Sequence, residues 1–145
     1  MVGADRWRSN WRVVSPPAAV PVELRRSAAG RAAARQRISG LPAGTPVVLF
    51  ASAPGAIRRC RSFASKAGIR LDREYLAFPS AAAPGYLVED QAAPIRAFVK
   101  SVLVAPPRSP LSTAIEAGLG LVRGLSPRRL ARRLAPGRVV VGRRL

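Results

Sequence analysis

The chain has 145 residues, enough for one domain with its own core and too short for two. Apolar residues make up 48 % of it, which excludes wholesale disorder, while 25 Lys plus Arg against 7 Asp plus Glu leave a net charge of +18. With no His and a single Cys, Cys60, the composition excludes a disulfide framework, a Cys/His zinc site and a Ser/His/Asp triad.

The basic residues are almost all Arg: only Lys66 and Lys100 are Lys. They are also unevenly spread. Residues 1–46 carry a net +6, residues 47–105 +4 and residues 106–145 +8, so the least basic stretch lies in the middle. Two readings of the charge stand side by side. One is a polyanionic partner: nucleic acid, an anionic surface or a phosphorylated substrate. The other is the codon usage of a GC-rich bacterial genome, which favours Ala, Arg, Gly and Pro over Lys but does not explain the scarcity of acids.

Residues 1–21 read as a disordered basic arm. Trp7 and Trp11 are interleaved with Arg6, Arg8 and Arg12, and Ser15-Pro16-Pro17 breaks the chain. The charged start carries no apolar secretory segment, and the uncharged run from Ile38 to Ile57 is cut by three prolines and three glycines, so it predicts no spanning helix. These features and the lone Cys point to a reducing, cytoplasmic setting.

Residues 22–145 read as a single small α/β domain whose best-defined core is 46–105. Glu23–Ser39 is Ala- and Arg-rich and predicts a helix with a thin apolar face, ended by Gly40-Leu41-Pro42. Val47-Val48-Leu49-Phe50 is apolar on both faces, as a strand covered on both sides would be. A helix capped by Ser52 follows, with Ile57, Cys60, Phe63, Ala64 and Ala67 on one face, Arg58, Arg59, Arg61 and Lys66 on the other, and Gly68 as its stop. Arg70–Phe78 predicts a second strand and Tyr86-Leu87-Val88 a short return.

A helix opens at Asp90 or Ala93, with Ile95, Phe98, Val99, Val102 and Leu103 in its apolar stripe. A further helix is expected from Ser109-Pro110 to about Gly124, a short one from Ser126-Pro127, and a last strand over Arg138–Val141. The expected architecture is an incomplete Rossmann-like unit: a three- to four-stranded sheet with flanking helices and a helical C-terminal extension.

No catalytic, cofactor-binding or metal-ligating residue can be assigned. Cys60 has no His partner and reads as a small buried hydrophobe. Ser52-Ala53-Pro54-Gly55 joins a strand to a helix but lacks the Lys-Ser/Thr of a phosphate loop. Asp72, Glu74, Glu89 and Asp90 read as ion-pair partners for neighbouring Arg rather than as an acid/base pair. The candidate anion contacts are at the C-terminus. Arg128, Arg129, Arg132 and Arg133 lie opposite Leu130 and Leu134 on a basic amphipathic helix, and Arg138, Arg143 and Arg144 follow.

The runs Arg58–Ile69, Glu74–Ser80 and Pro84–Val88, with the ending Leu134–Arg144, resemble the last third of class I S-adenosylmethionine-dependent methyltransferases of the kind found with cell-surface polysaccharide genes. In that family a helix ending in Ala-Gly leads into a strand, an antiparallel partner follows, and a closing strand ends the domain. The family's Gly-rich cofactor loop and the acidic residue ending its second strand have no counterpart in these residues, so none of its binding or catalytic residues carries over. The resemblance implies a non-catalytic or truncated methyltransferase-like protein, without a cofactor of its own and with a partner chain completing its sheet. The alternative is a basic protein that binds nucleic acid or another polyanionic surface through Arg-rich arms.

Overall fold

The computed structural model describes residues 13–102 and 127–145; the Trp7/Trp11 arm and the helix expected from Ser109-Pro110 to Gly124 lie outside the described residues. Nine elements follow in order: β1 (Val20–Glu23), α1 (Ala28–Ser39), β2 (Pro46–Ser52), α2 (Ala56–Lys66), β3 (Ile69–Phe78), β4 (Tyr86–Glu89), α3 (Ala92–Val102), α4 (Pro127–Leu134) and β5 (Gly137–Arg144). They form the expected α/β fold with a sheet flanked by helices, but with five strands, in the order β1-β2-β5-β3-β4.

The extra strand is β1, which lies where the sequence suggested an arm running into a helix. Val20 to Glu23 pair in parallel with Val47 to Phe50. Helix α1 therefore starts later, at Ala28, with Ser27 as N-cap: its hydroxyl accepts from the Gly30 amide at 3.0 Å. Helix α2 also starts later than expected. Strand β2 continues through Ser52, and Gly55, at φ +76°, supplies the turn that Ser52 was expected to cap.

The chain divides into two compact units, one running up to Leu87 and including Ala135–Leu145, the other spanning Val88–Leu134. In the first, β2 and β3 are not neighbours. β5 lies between them and is antiparallel to both, pairing Pro46–Ser52 with Arg143–Gly137 on one side and Ile69–Ala77 with Arg144–Gly137 on the other. This position explains the composition of β5. A central strand is buried on both faces, and Val139, Val140 and Val141 are almost wholly buried.

Val140 faces the side on which α1 and α2 lie, with Val47, Leu49, Ala51, Ile38, Cys60 and Phe63. Val139 and Val141 face the other side with Val48, Tyr75 and Ala77. The register of β3 against β5 shifts between Leu71 and Arg73, leaving Asp72 as the extra residue of a bulge.

The described part of the second unit holds the end of β4 and the helices α3 and α4. α3 and α4 pack on each other, and Asp90, whose side chain is almost fully buried, accepts from Arg132 Nε at 2.8 and 2.9 Å. Among the described residues, no helix is long and apolar enough to cross a membrane.

Candidate anion-binding cleft

The crossovers β1-α1-β2 and β2-α2-β3 each connect parallel strands, and both step across the sheet in the same direction. Right-handed connections then place both helices on one face. Helix α1 itself is held by a thin apolar stripe, burying only Ala34 and Ile38. The polar sides of the two helices flank a cleft of about 330 Å³.

Arg31 and Arg35 from α1, with Arg25 just before it, line one wall, and Arg58, Arg59 and Lys66 from α2 line the other. Leu24 and Phe63, both buried, form the floor. Among the described residues, six cations thus line a small volume and no carboxylate does.

Some of these cations have local partners. Arg25 pairs with Glu23 at 3.0 Å. Arg31 donates to the carbonyl of Arg26, and Arg26 in turn donates to the carbonyl of Ala53 at 2.6 Å. Arg59 donates to the carbonyls of Ser52 and, at 2.9 Å, Pro54, while its buried Nε has no acceptor among the described residues. Burial, then the charges of Arg26 and Arg31, push the Arg59 guanidinium below its ordinary value. Arg35, Arg58 and Lys66 have no hydrogen-bond or ion-pair partner among the described residues. An anion in the cleft would relieve the mutual repulsion of these groups.

Most of the C-terminal arginines expected to hold an anion are engaged elsewhere. Arg138 is 2 % exposed, on the helix-bearing face of β5, with its guanidinium 3.7 Å from Glu74; it cannot meet a ligand at the surface. Arg144 donates to the carbonyls of Ile38, Ser39 and Leu41, at and just beyond the C-terminus of α1, and so ties β5 to that end of the helix. Arg132 is held by Asp90, and exposed Arg143 lies 3.5 Å from Asp72. Arg129 and Arg133 are exposed, and the side chain of Arg128 lies outside the described residues.

Three of the four acids are distributed among ion pairs, and the fourth, Glu89, accepts a hydrogen bond from a neutral amide. Asp72 bridges Arg70 and Arg143, Glu74 bridges Arg61 and Arg138, Asp90 holds Arg132, and Glu89 accepts from Gln91. Cys60 is fully buried, and its burial pushes the thiol up to about 12, the state of an inert core side chain rather than a nucleophile. Among the described residues, no group of three His, Cys, Asp or Glu side chains is placed to hold a metal ion.

The fold and the cleft define the class: an α/β domain that gathers cations between two crossover helices on one face of a mixed sheet. No protein-family model, curated protein or solved structure matches the chain. The cleft was within reach of the sequence. Arg31 and Arg35 on one predicted helix, and Arg58 and Lys66 on the next, read singly as solvated faces. The handedness of consecutive crossovers is the signal that brings the two faces together.

Proposed function

We propose that this protein binds nucleic acid, and that the cleft between α1 and α2, rather than the terminal arms, is where it does so. The observation that carries this reading is the convergence of six cations on one cleft with no carboxylate in its lining among the described residues. Phosphate contacts of this kind give affinity and position without base readout, and they make binding fall with salt.

Net charge alone would attract any polyanion to a +18 chain. The test therefore compares two triple variants of equal charge. Arg35→Ala/Arg58→Ala/Lys66→Ala removes three of the six cations that line the cleft, and Arg129→Ala/Arg133→Ala/Arg143→Ala removes three exposed cations elsewhere. With a mixed-sequence oligonucleotide, fluorescence anisotropy at 0.1 M salt is expected to show the first variant weakened about 100-fold, from three lost phosphate contacts. The second variant is expected to stay within about threefold of the parent. Equal losses in the two variants would overturn the reading, as would preference of the parent for anionic vesicles over the oligonucleotide.

A second reading, a methyltransferase-like scaffold without a cofactor of its own, draws on the seating of β5. The resemblance implies a helix leading into a strand, an antiparallel partner next and a closing strand later; α2, β3 and β5 follow in that order, and it is β5 that runs antiparallel beside β3. A partner chain completing the sheet would add at its edges, β1 or β4. Titration calorimetry with S-adenosylmethionine is expected to show no saturable heat; tight stoichiometric binding would overturn the cofactor-free scaffold.

A further inference from the structure

We infer that the cleft takes an unpaired nucleic-acid strand by its phosphates alone, without contact to the bases. This rests on the nucleic-acid reading above and specifies the form of the ligand. Three observations support it.

The first is shape. The cations line two facing walls of a cleft of about 330 Å³ rather than a convex ridge. A duplex is a stiff, wide cylinder, poorly matched to a cleft of so small a volume. A single strand is flexible and thin enough to enter.

The second is spacing. Arg31 and Arg35 are four residues apart on α1, and Arg58, Ser62 and Lys66 follow at the same interval on α2. Residues at this interval lie along one side of a helix, each about 6 Å further along its axis. Each wall therefore presents a row of contact points suited to the repeating charges of a backbone.

The third is the floor. Proteins that grip single strands by their bases offer exposed aromatic faces for stacking. Among the described residues, the only aromatic lining the cleft is Phe63, which is 6 % exposed, and Leu24 beside it is 3 % exposed. Neither presents a face to a base. Ser62 is the one uncharged polar side chain of the lining, and a single hydroxyl does not discriminate among bases.

The experiment uses the full chain and four probes of equal length: oligo-dT, oligo-dA, an abasic deoxyribose-phosphate strand and a mixed-sequence duplex. If Arg31, Arg35, Arg58 and Lys66 each meet one phosphate, the slope of log affinity against log salt is about −3 on the single strands. The three single strands are expected to bind within about threefold of one another, and the duplex at least tenfold more weakly at 0.15 M salt. The Arg35→Ala/Arg58→Ala variant is expected to flatten the slope by about 1.4 and lower single-strand affinity about 25-fold at 0.1 M salt. Both positions are exposed on helices, and circular dichroism checks that the variant keeps its fold.

Duplex binding as tight as that of oligo-dT would overturn the inference, as would loss of affinity for the abasic strand. Either result leaves the nucleic-acid reading in place. Failure of all four probes to respond to the cleft variant would overturn both.

Discussion

Replacing Glu74 with Ala is expected to lower the unfolding free energy by about 3–5 kcal/mol, the range found when a buried ion pair loses one partner. The cause is Arg138 rather than Glu74 itself. The Arg138 side chain is 3 % exposed within the central strand, and Glu74 is the carboxylate beside it. Arg61, from α2, binds the same carboxylate through two hydrogen bonds of 2.9 and 3.1 Å, but it is half exposed. Once Glu74 is gone, Arg61 can turn to water and Arg138 cannot.

The three variants should therefore rank in a definite order. Arg61→Ala is expected to cost about 1 kcal/mol, in the range for an exposed pair. Glu74→Ala costs several times more. The double variant Glu74→Leu/Arg138→Met removes both charges and is expected to recover most of the loss. Urea unfolding followed by circular dichroism checks the order. Equal losses for Arg61→Ala and Glu74→Ala would show that Arg138 does not depend on this carboxylate.

The second large effect is expected at Gly142. A Cβ there would collide with the backbone oxygen of Arg70 and come within 3.0 Å of Ile69 Cγ2. An atom of the neighbouring backbone cannot move aside as the end of a flexible side chain can. Gly142 also pairs with Leu71, next to the Asp72 bulge. Gly142→Ala is expected to cost about 3 kcal/mol, the upper part of the range for overpacking. Gly40→Ala is the matched control. Gly40 has φ −78°, and its nearest neighbour to an added Cβ is 3.9 Å away, so a change of less than about 0.5 kcal/mol is expected. Thermal unfolding of the two variants separates them, and a stable Gly142→Ala would mean that β3 and β5 can part there at little cost.

Particular elements show how far the sequence could be read. β2, α2 and β3 were legible because each carries a local signature: a β-branched apolar run, a helical stripe ending at Gly68, and a run bounded by Pro79. β1 was not. Val20-Pro21-Val22-Glu23 is four residues long, contains a proline, and is a strand only because β2 lies beside it. A parallel partner 27 positions away along the chain leaves no local mark. The place of β5 was hidden for a similar reason. Val139-Val140-Val141 announced a strand, but nothing in those residues states that it divides β2 from β3.

The candidate site followed the same rule. Clusters of Arg were easy to count, and counting favoured the C-terminus. It could not reveal that Arg138 would be buried, that Arg144 would cap a helix, or that Arg132 would meet Asp90 across 42 positions. Those fates are set by contacts distant in sequence. The cleft was accessible by combining two helix patterns with a rule of handedness, which shows that topology, more than charge density, locates a surface of this kind.

The insertion of β5 also governs when the molecule can come into being. As the chain leaves the ribosome, β2 and β3 emerge with a gap of one strand between them, and the segment that fills it is synthesised after every other described element. The ladder between Pro46 and Arg143 joins residues separated by most of the chain. Such distant pairing makes folding slow and delays it until β5 has been made. A nascent chain halted before Gly137 would hold both crossover helices and every cation of the cleft, but no strand to bind the two halves of the sheet.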